Sequence, residues 1–151
     1  MRKLQQLTAF LMQATGLPRE SFDSFVDRGD LLPTGKDLGH GLEVARFQYD
    51  ASVYLYGYPG DGHLVLALVM AWLQQADTER EQQGLGDPRI EIAILDADTA
   101  DVEISVTFNE GIELVPDAAG RIPYRGSRWS VTDVPVDVAD SMQSMDGTAD
   151  G

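Results

Sequence analysis

The chain contains no cysteine, so neither disulfides nor thiolate chemistry enter its stability or its function. Histidine is nearly as scarce. His40 and His63 are the two in 151 residues, which confines imidazole acid–base and metal chemistry to two positions. Cations are few as well: 11 Lys and Arg stand against 25 Asp and Glu, for a formal net charge of −14. That balance argues against ordinary nucleic-acid binding, which rests on Lys and Arg neutralising phosphates, and against an anionic membrane surface. The apolar run from Leu64 to Leu73 is ten residues long, about half of the roughly 20 that span a bilayer. Gln5, Gln6, Thr8 and Gln13 interrupt any signal-type apolar core near the N-terminus, so a protein made and used in a cytoplasm is expected. No internal repeat and no interdomain linker stand out. The length suits one domain whose core needs no staples. The acidity itself reads in four ways: plain solubility, repulsion of DNA, an acidic partner face, or a mimic of DNA.

What is there is organised around residues 54–73. Tyr54-Leu55-Tyr56 reads as the end of a strand, Gly57 to Gly62 as a turn, and the apolar run as the start of a central helix reaching about Gln83. Asp61 is placed to accept a hydrogen bond from the first helical turn. A helix apolar on all sides implies burial on more than one side. Ahead of it, Leu4, Leu7, Leu11 and Ala14 share one helical face, closed by Gly16 and Pro18. Phe22, Phe25 and Val26 fit a second short helix ending at Gly29, and residues 30–41 read as a loop rich in Gly and Pro. From Leu42 to Tyr56 the period is two, with Phe47, Tyr49, Ala51, Val53 and Leu55 on one face. Leu42 and Val44 are out of step, which predicts a bulge near Ala45. Two alternating runs, Ile90 to Ile94 and Val102 to Phe108, form a hairpin closed by Asp96 to Asp101, and Ile112 to Val115 suggests a short further strand. The fold class expected is α+β: a small antiparallel or mixed sheet with N-terminal helices and one long central helix packed on it.

Candidate chemistry is thin. His63 near Asp61 suggests a carboxylate–imidazole pair, but no nucleophile accompanies it. Asp96-Ala97-Asp98 opens like a calcium loop and then fails at Ala100, Asp101 and Thr107, so a solvated hairpin tip is the better reading. The glycines at 57, 60 and 62 lack the Gly-Lys-Ser/Thr of a phosphate loop. The one cationic cluster is Arg121, Arg125 and Arg128, interleaved with Tyr124 and Trp129. Arg, Tyr and Trp are the side chains enriched at interface hot spots. Against that stands the plainer reading, that Trp129 packs on the core and the arginines balance nearby carboxylates. Residues 131–151 hold five Asp, no Lys and no Arg. Such a tail lacks the apolar content to order alone and calls for a partner. No enzyme, no cofactor and no metal site are expected.

Several strings resemble the tail completion protein R (GpR) family of Peduovirus-type contractile-tailed phages and the related R-type pyocin tails. They are Phe25-Val26-Asp27-Arg28-Gly29, Tyr54-Leu55-Tyr56 leading by an Asp/Gly turn into Leu68-Val69-Met70-Ala71-Trp72-Leu73, and Asp101-Val102-Glu103-Ile104-Ser105-Val106. The resemblance covers about residues 1–130, and these are packing patterns rather than catalytic motifs. It implies a structural protein of a phage tail or tail-like particle, assembled in the bacterial host cytoplasm. Specifically, it implies a tail terminator: a homo-oligomeric, hexameric ring on the head-proximal end of tube and sheath that stops polymerisation and offers the head-joining surface, or a collar in a headless pyocin. Partners implied are tube, sheath and neck or head-joining proteins, with neither sequence-specific nucleic-acid binding nor a membrane. Residues 1–130 would be the terminator-like domain and 131–151 an acidic tail. Arg121, Tyr124, Arg125, Arg128 and Trp129 are then the candidate subunit or sheath contacts. The rival readings are an acidic DNA mimic that inhibits a DNA-binding protein, a small hydrolase using Asp61 and His63, and another neck or tube subunit.

Overall fold

A computed structural model describes residues 1–132. In chain order they form α1 (Arg2–Thr15), a single 3-10 turn (Arg19–Ser21), β1 (Phe22–Asp37), β2 (Leu42–Pro59), α2 (His63–Ala76), β3 (Arg89–Ile94), β4 (Thr99–Pro116), β5 (Ile122–Tyr124) and β6 (Ser127–Val131). The six strands make one antiparallel sheet in the order β1-β2-β4-β6-β5, with β3 pairing beside β6 on the far edge of β4. Three strands of 16 to 18 residues are far longer than the usual five or six. Register shifts at Val26/Arg28, Pro33/Lys36, Glu43/Ala45 and Leu55/Tyr58 interrupt them. Each shift bends its strand and adds twist, so the sheet curls into a half-barrel.

Helices line the inner face of that curl. Leu4, Leu7 and Leu11 of α1 and Val65, Val69, Trp72 and Leu73 of α2 pack on Tyr49, Ala51, Val53 and Leu55 of β2 and on Val102, Ile104, Val106 and Phe108 of β4. Each fully buried aliphatic side chain contributes about 1.5–3 kcal/mol. Trp72 meets the Phe108 ring edge-on at 6.0 Å. The first turn of α1 has no cap of its own. Glu110 of β4 accepts from the Arg2 and Lys3 amides at 2.9 and 3.0 Å, and the Tyr49 hydroxyl accepts from the Leu4 amide at 3.2 Å. At the other end of the described chain, the Arg2 guanidinium donates to the Thr132 carbonyl at 3.2 Å.

The expected α+β layout with a long central helix on a small sheet is wrong. Strand dominates, and α2 stops at Ala76 rather than continuing to Gln83. After Asp77, turns replace the helix, and Arg80 ties them to β4 through the Thr107 carbonyl and to the loop before β3 through the Gly86 carbonyl (both 2.7 Å). The helix expected over 18–29 and the loop over 30–41 are largely one strand, β1. The spacing of Phe22, Phe25 and Val26 suits a helix, but Gly29, Pro33 and Gly35 do not, and an edge strand tolerates Pro33. Pairing with β2 along its whole length decides the conformation. The bulge expected near Ala45, the closing Gly16 and the 90–108 hairpin all stand. The strand expected to end at Tyr56 instead runs on to Pro59, into the turn expected over Gly57 to Gly62, because Tyr58 and Pro59 pair with Ala100 and Thr99. The short strand expected over 112–115 is the end of β4.

Gly29 has a role other than ending a helix. The Phe47 ring lies across it, and a Cβ there would overlap the ring. Gly29→Val should lower stability by about 1–3 kcal/mol, a fall in Tm of about 3–9 °C. Truncating Phe47 in the same chain should remove most of that added loss; an unchanged Tm for Gly29→Val contradicts the contact.

Candidate functional site

The cationic cluster is a hairpin. β5 and β6 pair with Tyr124 opposite Ser127, leaving Arg125-Gly126 as a two-residue turn. Both turn residues have positive φ, 51° and 77°, the backbone of a type I′ hairpin. Arg125 is the one non-glycine residue with positive φ among those described. Its guanidinium lies 5.0 Å from the centre of the Tyr124 ring. The Trp129 indole N–H donates to the Tyr124 carbonyl at 2.8 Å, and Arg128 donates to the Gly120 carbonyl at 3.0 Å. Trp129 is half-buried within the hairpin and is not part of the main core. Among the described residues no carboxylate forms an ion pair with Arg121, Arg125 or Arg128, against the plainer reading that the arginines balance nearby acids. All three are exposed. The curl of the sheet carries the hairpin tip to the end of β1: a Cβ on Gly35 would come within 3.4 Å of Arg125 Nη2.

The larger uncovered surface is apolar, and sequence reasoning missed it. α2 is buried on one side only. Leu64 (52% exposed) and Met70 face outward on a helix with no charged side chain between Leu64 and Ala76. On β1, Phe25, Val26, Leu31 and Leu32 are exposed, and on and after β3 so are Ile92, Ile94 (79%) and Leu95. The signal was present in the run Leu64–Leu73, whose apolar outer face exceeds what one core needs. Dispersed single apolar residues at a surface are normal, but strand edges and helix faces of this kind mark contacts.

The outer sheet face, away from the helices, gathers acid. One row across four strands reads Asp23, Tyr54, Glu103, Glu91, and the Tyr54 hydroxyl donates to Glu103 at 2.9 Å. Asp27 accepts from Ser52 beside it at 2.7 Å. Hydrogen bonding to Glu103 and partial desolvation push the Tyr54 hydroxyl above its ordinary value.

The other sequence candidates are surface features. His63 Nδ1 sits 3.0 Å from Asp61 Oδ2, and the His63 amide donates to Asp61 Oδ1 at 3.0 Å. The hydrogen bond from His63 holds the Asp61 carboxyl below its ordinary value. Both side chains are exposed, and no third side chain among the described residues joins them by a hydrogen bond. Asp96 Oδ1 accepts from the Asp98 and Thr99 amides and the Thr99 hydroxyl, which builds the hairpin tip. No described helix is long and apolar enough to cross a membrane. The expected partner-held acidic tail lies, from residue 133 onward, outside the described residues.

Among the described residues the curled sheet thus carries exposed apolar side chains on its edges and on α2, a cationic hairpin without ion pairs and an acidic outer face. The P2 phage tail completion protein R (GpR) family matches residues 1–133. The chain belongs to that family. The match takes in both helices and all six strands, so the GpR fold is the whole described domain. A relative in Haemophilus phage HP1 (strain HP1c1), described as an uncharacterized 19.2 kDa protein in the rep-hol intergenic region, is 25% identical over 145 residues. That alignment covers 91% of this chain and 86% of the relative. No solved structure matches the chain. As a GpR member the chain has a role in completing a phage tail.

Proposed function

We propose that this GpR protein is a non-enzymatic tail terminator: a homo-oligomeric ring, six copies in the arrangement we favour, seated on the head-proximal end of a tail tube and sheath. The observation that carries the reading is the family match over the entire described domain. The uncovered apolar edges and helix face support it, since a ring closed by heterologous contacts needs two different patches on each subunit. The exposed hairpin of Arg121, Tyr124, Arg125, Arg128 and Trp129 is the contact offered to sheath or tube, and the acidic outer face keeps DNA from sticking. A neck protein would then meet the finished ring.

The test is genetic. Particles made without the chain should have overlong or ragged tails, or tails lacking the top ring, by electron microscopy. Particles carrying Arg121→Ala, Arg125→Gly and Arg128→Ala together should show the same defect, while the purified variant keeps the circular dichroism of the parent. Tails of normal length that fail to join heads would place the chain in the neck. Tails unchanged in length, cap and head attachment would overturn the reading. A DNA mimic would then come forward, because one observation favours it: the row of carboxylates on the outer sheet face.

A further inference from the structure

The geometry points to the β3 edge of one subunit pairing with the β1 edge of the next, so that the sheet runs on from copy to copy. The inference rests on the ring reading and names its closing contact. In the half of the sheet that holds β3, four strands lie side by side as β1-β2-β4-β3. The rows Phe22–Leu55–Val102–Ile92 and Ser24–Val53–Ile104–Ile90 cross all four. β1 and β3 are therefore the two open edges of the same rows, each with a line of unpaired backbone groups. Every neighbouring pair is antiparallel. With an even number of strands the two edges run in opposite directions. A second copy added head-to-tail at the β3 edge thus presents β1 antiparallel to it, and the alternation continues without reversal.

The side chains fit as well. Ile90 and Ile92 share the inner face with Ser24 and Phe22, while Arg89 and Glu91 share the outer face with Phe25 and Asp23. Pairing Ile92 with Ser24 of the second copy keeps inner residues opposite inner ones. It also sets Ile94 opposite Phe22, Ile90 opposite Val26, Glu91 opposite Phe25 and Arg89 opposite Asp27. Moving the register by two so that Arg89 meets Phe25 would set Glu91 against Asp23, a repulsive pair. Charge thus selects the register with the Arg89–Asp27 pair. The exposed Val26, Ile92 and Ile94 become covered in it, as an edge of this length otherwise requires.

The chain's lack of cysteine makes the test direct. Ser24 and Ile92 of one copy lie three strand spacings and two residues along the strand apart, about 16 Å, well beyond the Cα separation of about 4.4–6.8 Å that a disulfide bridges. Full-length protein carrying Ser24→Cys and Ile92→Cys should give a ladder of covalent oligomers on a non-reducing denaturing gel after mild oxidation. Either cysteine alone should give none beyond trace dimer. A second pair of variants guards against misfolding: Arg89→Asp should loosen self-association by about tenfold in sedimentation, and adding Asp27→Arg should restore it. Oligomers that form without a ladder, or a Ser24→Cys chain that dimerises as well as the double variant, overturn the edge contact and leave the capping role standing. A chain that stays monomeric, in particles whose tails end normally without it, overturns both.

Discussion

Replacing Asp77 with alanine should lower the melting temperature by roughly 10 °C. The Asp77 side chain is almost fully buried at the C-terminal end of α2 and holds two cations, Lys3 Nζ at 2.7 Å and Arg80 Nη1 at 3.0 Å. Lys3 also donates to the Asn109 carbonyl at 2.8 Å, and the Arg80 guanidinium lies 5.8 Å from the centre of the Phe108 ring. One carboxylate therefore joins α1, the end of α2, the turns after it and β4. Without it, two largely enclosed charges keep only carbonyl partners. Removing one partner of a buried pair costs about 3–5 kcal/mol, because the opposite charge is left behind. For a domain of this size each kcal/mol is about 2–4 °C. Lys3 and Arg80 keep some contact with water, which sets the expectation near the lower end. Asp77→Asn should fall between the two, since it keeps an acceptor and loses the charge. A fall in Tm of less than about 3 °C for the alanine variant would mean that water takes over the carboxylate's place.

Glu110→Ala should cost about 2–4 kcal/mol near neutral pH, and the loss should shrink in acid. The carboxylate closes the first turn of α1, where helical N–H groups have no partner within the helix, and it accepts from the Tyr49 hydroxyl at 2.8 Å. Truncation leaves the Arg2 and Lys3 amides and that hydroxyl without an acceptor, and each such group costs about 1–3 kcal/mol if it stays dry. Burial pulls the Glu110 carboxyl upward, but the Lys3 and Arg2 amides, the Tyr49 hydroxyl and the N-terminal ammonium outweigh it and hold it below its ordinary value. Burial first, and then the carboxylate, push the Tyr49 hydroxyl far up, so it remains a donor. A folded-state value below the unfolded one makes the contribution complete above the unfolded glutamate value of about 4.5. It is lost as pH falls through the lowered folded value. Melting curves of parent and variant should therefore lie far apart at pH 7 and draw together on the acid side of pH 4.5. A gap that stays constant with pH would assign the loss to packing instead.

How far the sequence was legible follows from where burial is periodic. β2 and the 102–108 stretch of β4 are buried on alternate residues, so period-two alternation announced them, down to the bulge at Ala45, while the rest of β4 was read as a loop and a separate short strand. α1 and its Gly16 end were equally plain, because one stripe of leucines is buried. β1 escaped because residues 23–34 are exposed on both faces: no alternation remains to read, and Phe22, Phe25 and Val26 fit a helix by chance of spacing. The same openness that hid the strand makes it available for pairing. The apolar run of α2 was read as two-sided burial, whereas the fold buries one side and leaves the other exposed. The Arg121–Trp129 cluster was visible as a composition anomaly, but its I′ turn and its proximity to Gly35 depend on sheet curl, which no local pattern encodes.

The hydrogen bond between the Arg2 guanidinium and the Thr132 carbonyl sets the last described residue beside the start of α1. The path from Arg2 to Thr132 is thus nearly a closed loop, and chain order within it is a matter of where the loop is cut. A short linker joining these neighbours would allow new ends at the exposed tip over Asp96 to Asp98, with the same strands meeting the same partners. Whatever is joined ahead of Arg2 and the acidic segment that follows Thr132 therefore start from one shared pole of the described domain.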